Sequence, residues 1–327
     1  MQRLVLIDGH AILYRAYHAL PNLITSGGQP TNAVYGFLSM MFKTNADLKP
    51  SHLAVVFDRP EPTFRKKLYE DYQSQRPKME ENLIYQVGLT RDLIRKIGIP
   101  IYEKAGYEAD DVIGTLARQT IKSVNGDKES KDSDKIEVVI ITGDRDLLQL
   151  VNDKVKLFMP VKGISQSKLF GRNEVMEKFG VNPSQIIDFK ALIGDPSDNY
   201  PGVFGIGPKT AADLIRKYST LDGIYENLDK LNPKLREKLE KSRNDAYMSY
   251  KLAKIVTDVP IEFDIKTAKL MKLDRPDVRQ ALEGMEFRSL VNRLSGDNRK
   301  QASSAGPPEG PAGKLKTEKN HEQTSLF

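Results

Sequence analysis

The chain has 327 residues, of which 29% are charged and 39% hydrophobic, a globular balance with room for two domains. The net charge of +6 permits a polyanionic partner, and the absence of cysteine excludes disulfides, thiol catalysis and zinc–thiolate sites. No apolar run is long enough to cross a membrane. Because the first residues have the pattern of a core strand and leave no room for a signal peptide, we expect a cytoplasmic protein.

Four short apolar runs predict the strands of a buried sheet. They are residues 4–7, 53–57, 99–102 and 138–141. Continuous apolar runs of this length are typical of strands that are covered on both faces. Helical patterns separate them, at residues 12–20, at residues 33–48 behind a possible cap at Thr31 and Asn32, and after residue 146. This alternation predicts an α/β fold with a mostly parallel central sheet flanked by helices.

Acidic residues follow all of these strands. They are Asp8, Asp58, Glu108, Asp110, Asp111, Asp144 and Asp146. A single Asp at a strand end is usually a turn or cap residue. Ligands of parallel sheets bind beyond the carboxyl ends of the strands, so a recurrence at every strand predicts one shared site at that edge.

Residues 106–117 carry three of these acids in the first turn of a predicted amphipathic helix. One or two acids there would need no explanation beyond the helix dipole. Like charges about 4 Å apart repel by roughly 4 kcal/mol at an effective dielectric near 20, so a third acid indicates a nearby cation. Hard oxygen ligands suit Mg²⁺ or Mn²⁺. From this stretch alone, the dipole and the metal interpretation both remain open.

Residues 63–78 are basic, with interleaved aromatic residues. Such a run is either a solvated helix face or a strap over the acidic site that contacts phosphates and stacks bases. The second interpretation makes Lys66, Lys67, Tyr72 and Lys78 candidate DNA-binding residues.

The second half of the chain is predicted to be helical. A first helical stretch covers residues 172–192, and further helices continue to about residue 294. Asp195 and Asp198 add two carboxylates. A glycine hairpin lies within residues 201–215, directly before a predicted helix. The hairpin is either a plain turn or a site where backbone N–H groups bind a phosphate. Residues 125–135 are predicted to form an exposed loop, and the tail from Ser295 to be disordered.

Together these motifs resemble the 5′-nuclease (flap endonuclease) superfamily. They are DGH at 8–10, YEADD at 107–111, TGDRD at 142–146, GDPSDN at 194–199 and GIGPKTA at 205–211. The resemblance is to the 5′→3′ exonuclease domain of bacterial DNA polymerase I in particular, and it covers residues 1–294 in motif order. Since no polymerase portion follows, we expect a stand-alone bacterial 5′-3′ exonuclease.

The resemblance implies a PIN-like 5′-nuclease core at residues 1–180, including a helical arch at about 63–81 that admits the free 5′ strand. It implies a helical DNA-binding region at 181–294, with a helix-hairpin-helix at about 200–217. The implied metal ligands, which hold two or more Mg²⁺ ions that Mn²⁺ can replace, are Asp8, Asp58, Glu108, Asp110, Asp111, Asp144, Asp146, Asp195 and Asp198.

Other residues receive roles from the same resemblance. Tyr14, Arg15, Arg65 and Arg76 would position the scissile phosphate. Gly205, Gly207, Lys209 and Thr210 would grip duplex backbone, with a bound K⁺ as a further possibility. The family usually has a lysine where this chain has Gln73, which leaves the turnover rate open.

The implied activity is that of a monomeric, Mg²⁺-dependent, structure-specific 5′ nuclease. Its substrates would be 5′ ends, flaps and junctions in DNA, or RNA primers, during replication and repair. Two alternatives are a PIN-type ribonuclease and a non-catalytic or weakly catalytic junction-binding protein. PIN domains are small, which disfavours the first, and the full set of carboxylates disfavours the second.

The last five residues resemble the short peptide by which bacterial replication proteins bind the sliding clamp, with Gln323 followed by Leu326 and Phe327. The alternative is a chance match in a polar tail.

Overall fold

The computed structural model describes residues 2–126, 136–162 and 166–294. Within these ranges one sheet has the strand order β3-β2-β1-β4-β5-β6. Its strands are β1 (Gln2–Asp8), β2 (His52–Val56), β3 (Ile101–Tyr102), β4 (Ile136–Ile141), β5 (Val155–Lys162) and β6 (Gln166–Phe170). Neighbouring strands among the first five, β1 to β5, all pair in parallel, and β6 is antiparallel to β5. The predicted α/β fold with a mostly parallel sheet is confirmed.

Helices cover both faces of this sheet. They are α1 (Gly9–Ala19), α2 (Asn32–Leu48), α3 (Phe64–Leu68), α4 (Glu81–Ile97), α5 (Ala109–Gly126), α6 (Arg172–Phe179), α7 (Ile186–Ile193), α8 (Pro208–Tyr218), α9 (Leu221–Glu226), α10 (Pro233–Lys241), α11 (Arg243–Ala253), α12 (Pro276–Glu283) and α13 (Arg288–Leu294).

Successive residues of β1 enter two different cores, because side chains alternate across a strand. Leu4 and Leu6 pack into the cluster that includes the apolar stripe of α5 and residues of α7 and α8. Val5 and Ile7 pack into a second cluster with α1, α2 and α4. The apolar run of this strand, residues 4–7, is therefore fully buried, as its unbroken pattern predicts.

Several predicted elements differ from those observed. None of the four apolar runs predicts β5 or β6. The β5–β6 pairing shifts register at Pro160, which lacks the N–H that a regular ladder needs. The segment after residue 146 forms only a 3₁₀ helix (Asp146–Leu150). Residues 172–192 form two helices, α6 and α7, with a 3₁₀ turn at Pro183–Gln185 between them.

The predicted helical arch at 63–81 is mostly not helical. Only α3 is helical there, and turns and bends connect it to α4. Pro77 contributes to this, because proline disfavours helical conformation in the residue before it and removes a backbone donor. Residues 69–80 are called the strap below.

The last two helices return to the first half of the chain. Leu290 belongs to the same core cluster as β1, the Tyr35 hydroxyl lies 2.9 Å from Ser289 Oγ, and Ser26 N–H donates to Glu286. The end of the predicted helical region therefore packs on the α/β core instead of extending away from it. The rest of the predicted loop beyond residue 126 and the tail from residue 295, with Gln323, Leu326 and Phe327, lie outside the described residues.

No helix in the described ranges combines the length and the apolar character that crossing a membrane requires.

The contact between Gly9 and Phe57 gives a prediction about stability. A Cβ at Gly9 would lie 2.4 Å from the buried Phe57 ring. We expect Gly9→Ala to lower the free energy of unfolding by about 1–3 kcal/mol through overpacking. Gly88, in the exposed part of α4, has open space where a Cβ would lie. The control Gly88→Ala should raise stability by about 0.5–1 kcal/mol, and urea denaturation measures both. Equal stabilities of the two variants would contradict the prediction.

Candidate active site

Asp8 ends β1 and begins the site. Its Oδ1 accepts from the Ala11 N–H at 3.1 Å, so it also caps α1. Its Oδ2 accepts from Thr142 Oγ1, 2.8 Å away, directly after the neighbouring strand β4. These two bonds fix the carboxylate against both strand ends.

Asp58 follows β2 and lies against the start of α5. Its Oδ1 accepts from the Ala109 N–H at 2.8 Å, and its Oδ2 lies 3.1 Å from His10 Nδ1. Burial opposes its charge, but His10, the Ala109 N–H and the Arg76 charge together outweigh burial and lower the pKa of Asp58.

The loop after β4 brings in Asp144 and Asp146. Asp144 N–H donates to Thr142 Oγ1 at 2.9 Å, and Asp146 N–H donates to Asp144 Oδ1 at 2.8 Å. These local bonds hold both carboxylates at the edge where Asp8 lies. The structure thus brings acids from neighbouring strand ends together, as the sequence pattern predicts.

The charge in this cluster is unfavourable. Burial and the neighbouring acids raise the pKa of Asp8 and of Asp146 to about 7. Burial raises the pKa of Asp110 well above its ordinary value, and repulsion from Asp144, Asp8 and Asp146 adds to this. Burial also raises the pKa of Glu108 to about 7. A cation bound among these carboxylates would relieve the repulsion.

A second group of acids lies beside the first. Asp146, Asp195 and Asp198 each offer an oxygen, and these atoms lie within 4.8 Å of one another. Lys190 of α7 donates to both Asp146 and Asp195. Burial opposes the Lys190 charge, but these carboxylates raise its pKa well above the ordinary value.

Tyr200 lies next to this group with an unsatisfied hydroxyl. Its side chain is buried, its hydroxyl has no hydrogen-bond partner among the described residues, and burial raises its pKa well above the ordinary value. A buried polar atom without a partner is rare and needs an explanation. Clustered carboxylate oxygens beside an unpaired hydroxyl fit a site for a hydrated divalent cation.

Asp111 is different, and its expected role as a metal ligand disagrees with the structure. It is fully buried, and each of its oxygens accepts two bonds. Oδ1 accepts from Arg65 Nη2 and the Val256 N–H, and Oδ2 accepts from Arg65 Nη1 and the Glu108 N–H, at 2.7–3.1 Å. Its contacts make it a structural acceptor for Arg65 and for two backbone N–H groups.

Arg65 was expected to position the scissile phosphate, but its guanidinium cannot reach a phosphate in this structure. Its guanidinium is buried, and its nitrogens also donate to the carbonyls of Leu252 and Lys254 at 2.8 Å. A further contact of 3.3 Å joins Nη1 to Glu108. Every guanidinium nitrogen is engaged, so Arg65 anchors α3 to the core and to the C-terminal end of α11.

The strap packs onto the site through Asp198. Tyr72 is buried, and its hydroxyl donates to Glu108 at 3.2 Å and lies 3.3 Å from Asp198 Oδ2. Arg76 lies 2.5 Å from Asp198 Oδ1, and Gln73 donates to the same oxygen at 3.3 Å. Arg76, one of the arginines expected to position the phosphate, therefore lies at the acids.

The four candidate DNA-binding residues between residues 66 and 78 fall into two pairs, one engaged within the protein and one exposed. Tyr72 stacks on Tyr200 with ring centroids 6.4 Å apart, so its face is not available to a base. Lys66 donates to the carbonyls of Glu70 and Tyr72 and holds the turn. Lys67 and Lys78 are exposed and remain candidates.

Tyr14 and Arg15 of α1 line an open cleft of about 460 Å³ that also includes Asp144. Tyr14 is half exposed and lies edge-on to His18 at 4.4 Å. Partial burial lowers the pKa of Arg15. Both predicted residues thus lie beside the acids, where a substrate phosphate could enter.

The glycine hairpin lies between α7 and α8. Gly205 has φ +75°, Gly207 is the N-cap residue of α8, and Lys209 and Thr210 are exposed in the first turn of that helix. The predicted phosphate grip is therefore accessible. The Gly205 carbonyl accepts from Lys238 Nζ at 2.8 Å.

Sequence reasoning assigned no role to Lys190, Thr142, His10 or Tyr200. Thr142 and His10 lie inside quoted motifs, so their position offered a signal. Lys190 lies in a helix whose other residues are apolar except Asp188, and a lysine among buried residues is a sign of a buried partner. Nothing in the sequence marks the unpaired hydroxyl of Tyr200.

The fold and the arrangement of acids define a PIN-like 5′-nuclease class of protein. Residues 3–180 match the family model described as 5′-3′ exonuclease, N-terminal resolvase-like domain. Residues 181–276 match the one described as 5′-3′ exonuclease, C-terminal SAM fold. The chain belongs to the 5′-3′ exonuclease family and is a nuclease, which confirms the predicted family and class of enzyme.

Individual relatives agree with this. A 5′-3′ exonuclease from Aquifex aeolicus is 40% identical over 294 residues, which is 90% of this chain and 96% of that protein. The DNA polymerase I of Caldicellulosiruptor bescii is 42% identical over 89% of this chain. The chain spans about a third of the length of that polymerase, 33%.

A solved structure with a similar fold is that of the bacteriophage T5 D15 flap endonuclease, described as a pseudo-enzyme-product complex with DNA and metal ions. Its TM-score is 0.61 at 19% identity, over 90% of this chain and 97% of that chain.

The different contacts of Asp110 and Asp111 give a prediction. We expect Asp111→Asn to lower the free energy of unfolding by about 3–5 kcal/mol, because it leaves Arg65 buried without its charged partner. Asp110→Asn should leave the metal-free protein equally or more stable, since it removes a repelled charge. Urea denaturation in EDTA at pH 8 distinguishes the two. Unchanged stability of Asp111→Asn would contradict the structural role.

A second prediction concerns pH. Because the pKa of Glu108 is raised from 4.5 to about 7 in the folded protein, its contribution to stability is present at low pH. That contribution is lost as the pH rises through about 7. Glu108→Gln keeps an acceptor without the charge. Its stability relative to wild type in EDTA should therefore increase between pH 4.5 and about 7. A difference that is constant across this range, measured by chemical denaturation, would contradict the assigned shift.

Proposed function

We propose that this nuclease is a Mg²⁺-dependent, structure-specific enzyme that hydrolyses phosphodiester bonds of DNA at 5′ ends, flaps and junctions. The observation that carries the proposal is the convergence of buried carboxylates at the carboxyl edge of the sheet, next to an exposed glycine hairpin. Family membership supports the hydrolysis of phosphodiesters. The T5 flap endonuclease, whose structure is described as a complex with DNA and metal ions, supports the substrate and the cofactor.

The residues that would hold two or more divalent ions fall into two groups. Asp8, Asp58, Asp110 and Asp144 surround one part of the site, with Glu108 beside them. Asp146, Asp195 and Asp198 form the other. Bound Mg²⁺, or Mn²⁺ in its place, would supply activation of water and would neutralise charge on the phosphate and the leaving oxygen.

The chain's own cations would act on the substrate around these acids. Arg15 and Tyr14 line the cleft beside Asp144 and would orient a phosphate that enters it. Arg76 is half exposed in the strap, where Lys78 is also exposed, and Lys67 is exposed on the preceding helix α3. Gln73 supplies a neutral amide where the family usually has a cation, so Arg76 would carry more of the charge neutralisation.

The duplex part of the substrate would lie on the glycine hairpin. The N–H groups at the start of α8 and the Lys209 ammonium are suited to backbone phosphates. A K⁺ ion at the hairpin belongs to the proposal, although the Gly205 carbonyl already accepts from Lys238. Replacing K⁺ by Na⁺ in a duplex-binding assay tests the ion.

The proposal extends to the setting of the enzyme. It would act as a monomer in the cytoplasm, on flaps and on RNA primers, during replication and repair. Sedimentation of the purified protein tests the monomer, and a substrate with a 5′ ribonucleotide segment tests the primers.

The deciding experiment is cleavage of a 5′-labelled flap with Mg²⁺ and with EDTA. We expect product near the single-strand/duplex boundary with Mg²⁺ alone. Asp144→Asn is the matched control, because it keeps the Oδ1 acceptor for the Asp146 N–H and removes one charge. Binding without cleavage by the wild type in Mg²⁺ would favour the non-catalytic alternative, and cleavage of single-stranded RNA alone would favour a ribonuclease.

Lys209 gives a prediction about the hairpin. Lys209→Ala should weaken binding to all duplex substrates to a similar extent, because a phosphate contact carries no sequence information. It should also reduce the slope of log affinity against log salt by about one. Lys272, exposed near the opposite edge of the sheet, provides the control Lys272→Ala. Equal slopes for wild type and Lys209→Ala would remove Lys209 from the contacts.

The tail gives another prediction. Gln323, Leu326 and Phe327 would bind the bacterial sliding clamp, and the preceding residues would act as a tether with a reach of about 30 Å. Deleting residues 323–327 should abolish clamp binding, measured by fluorescence anisotropy, and leave cleavage of free flaps unchanged. Equal clamp affinity with and without the five residues would exclude the peptide.

A further inference from the structure

Phe204 stands at the tip of the glycine hairpin with 88% of its side chain exposed. Residues 203–206 form a β-turn, in which the Ile206 N–H donates to the Val203 carbonyl at 3.0 Å. Gly205 follows Phe204 with φ +75°, the conformation that the third residue of a type II turn requires. Phe204 therefore occupies the outer corner of the turn.

The turn that carries this ring is firmly held. Val203 and Ile206 are buried on either side of it, and the Val203 N–H donates to the Leu192 carbonyl at 2.7 Å. The Phe204 N–H donates to Ser242 Oγ at 3.4 Å, and the Gly205 carbonyl accepts from Lys238 Nζ at 2.8 Å. The backbone on both sides of the ring is thus fixed, so a partner would meet a preorganised contact.

The surroundings of the ring identify the chemistry of the partner. Gly207, Lys209 and Thr210 follow it as exposed residues at the start of α8, and Lys238 lies on its other side. Single exposed apolar side chains are common and need no function. This one is large, rigidly presented and surrounded by groups that suit phosphates. Along a nucleic-acid strand the group between two phosphates is the sugar, whose carbon face is apolar.

We propose that Phe204 packs against a sugar of the duplex strand held by the hairpin and favours deoxyribose over ribose there. The inference rests on the proposed function, since it requires that the hairpin binds duplex DNA. The 2′-hydroxyl is the group that distinguishes RNA from DNA. A ribose would place this hydroxyl against the ring, where it loses water without gaining a hydrogen bond.

The test is duplex binding by the full chain in EDTA, where no hydrolysis occurs, measured by fluorescence anisotropy. Aromatic contacts to nucleic acid weaken binding by about tenfold when replaced by alanine. We expect Phe204→Ala to lose about this factor on duplex DNA, and Phe204→Tyr, which keeps the ring, to retain most of the affinity. Met271→Ala is the control, because Met271 is an exposed apolar residue near Gly98 at the opposite edge of the sheet.

Two further readouts separate a sugar contact from a displaced hairpin. The salt slope of Phe204→Ala should equal that of the wild type, because a neutral ring releases no counterions. Phe204→Ala should lose less affinity for a DNA–RNA hybrid in which the contacted strand is RNA. Replacing each DNA strand by RNA in turn shows which strand is contacted. A lowered slope, an unchanged affinity for duplex DNA, or an equal loss on DNA and on both hybrids would overturn the inference.

The outcomes also distinguish this inference from the proposed function. A wild type that binds duplex DNA and cleaves flaps in Mg²⁺, with an unaffected Phe204→Ala variant, refutes the sugar contact alone. A wild type that binds duplex DNA through Phe204 but does not cleave flaps refutes the proposed reaction and leaves the contact in place. A wild type that does not bind duplex DNA overturns both.

Discussion

Carboxylates that follow neighbouring parallel strands are forced together at one edge of the sheet, and their mutual repulsion is the constraint around which the rest of this structure is arranged. Burial and repulsion raise the pKa of Asp8, Asp110 and Asp146. Cationic or polar donors surround the cluster: His10 beside Asp58, Lys190 between Asp146 and Asp195, and Arg76 on Asp198. The fold tolerates the charge because each group of acids has a donor from a different part of the chain.

Arg65 and Asp111 join three parts of the molecule in one buried ion pair. Arg65 lies in α3, before the strap, and Asp111 lies in the first turn of α5. The carbonyls of Leu252 and Lys254 belong to the C-terminal end of α11 and its cap. Truncating one member of a buried pair is costly, because the other remains desolvated without a partner. The pair therefore fixes the base of the strap relative to the acids. That is a positioning role, although its residues look like catalytic ones in the sequence.

Sequence patterns predicted those features that depend on local order. The unbroken apolar run of β1 and the acids behind each strand follow from the pleat and from parallel pairing, so their place could be derived. Long-range contacts decided the rest. Asp110 and Asp111 are adjacent and alike in the sequence, and contacts such as that of Asp111 with Arg65 give them different roles. In the sequence Tyr72 resembles a residue that stacks on bases, but in the structure Tyr200 covers the face of its ring. The strands β5 and β6 were missed, with Pro160 inside the first of them.

One continuous segment connects the chemistry of the site to the hairpin. Asp195 and Tyr200 exchange backbone bonds at 3.0 and 3.2 Å, and Gly194 and Gly202 approach so closely that a Cβ at Gly202 would lie 2.3 Å from Gly194 N. This contact closes the loop that carries Asp195 and Asp198, two of the three acids of the second group. The chain then passes within two residues to the turn that presents Phe204. Because backbone bonds fix both ends of the segment, the acids and the hairpin keep a constant separation. A duplex held at the hairpin would therefore meet the carboxylates at a set distance along its backbone, so the position of a cut would follow from structure and not from base sequence.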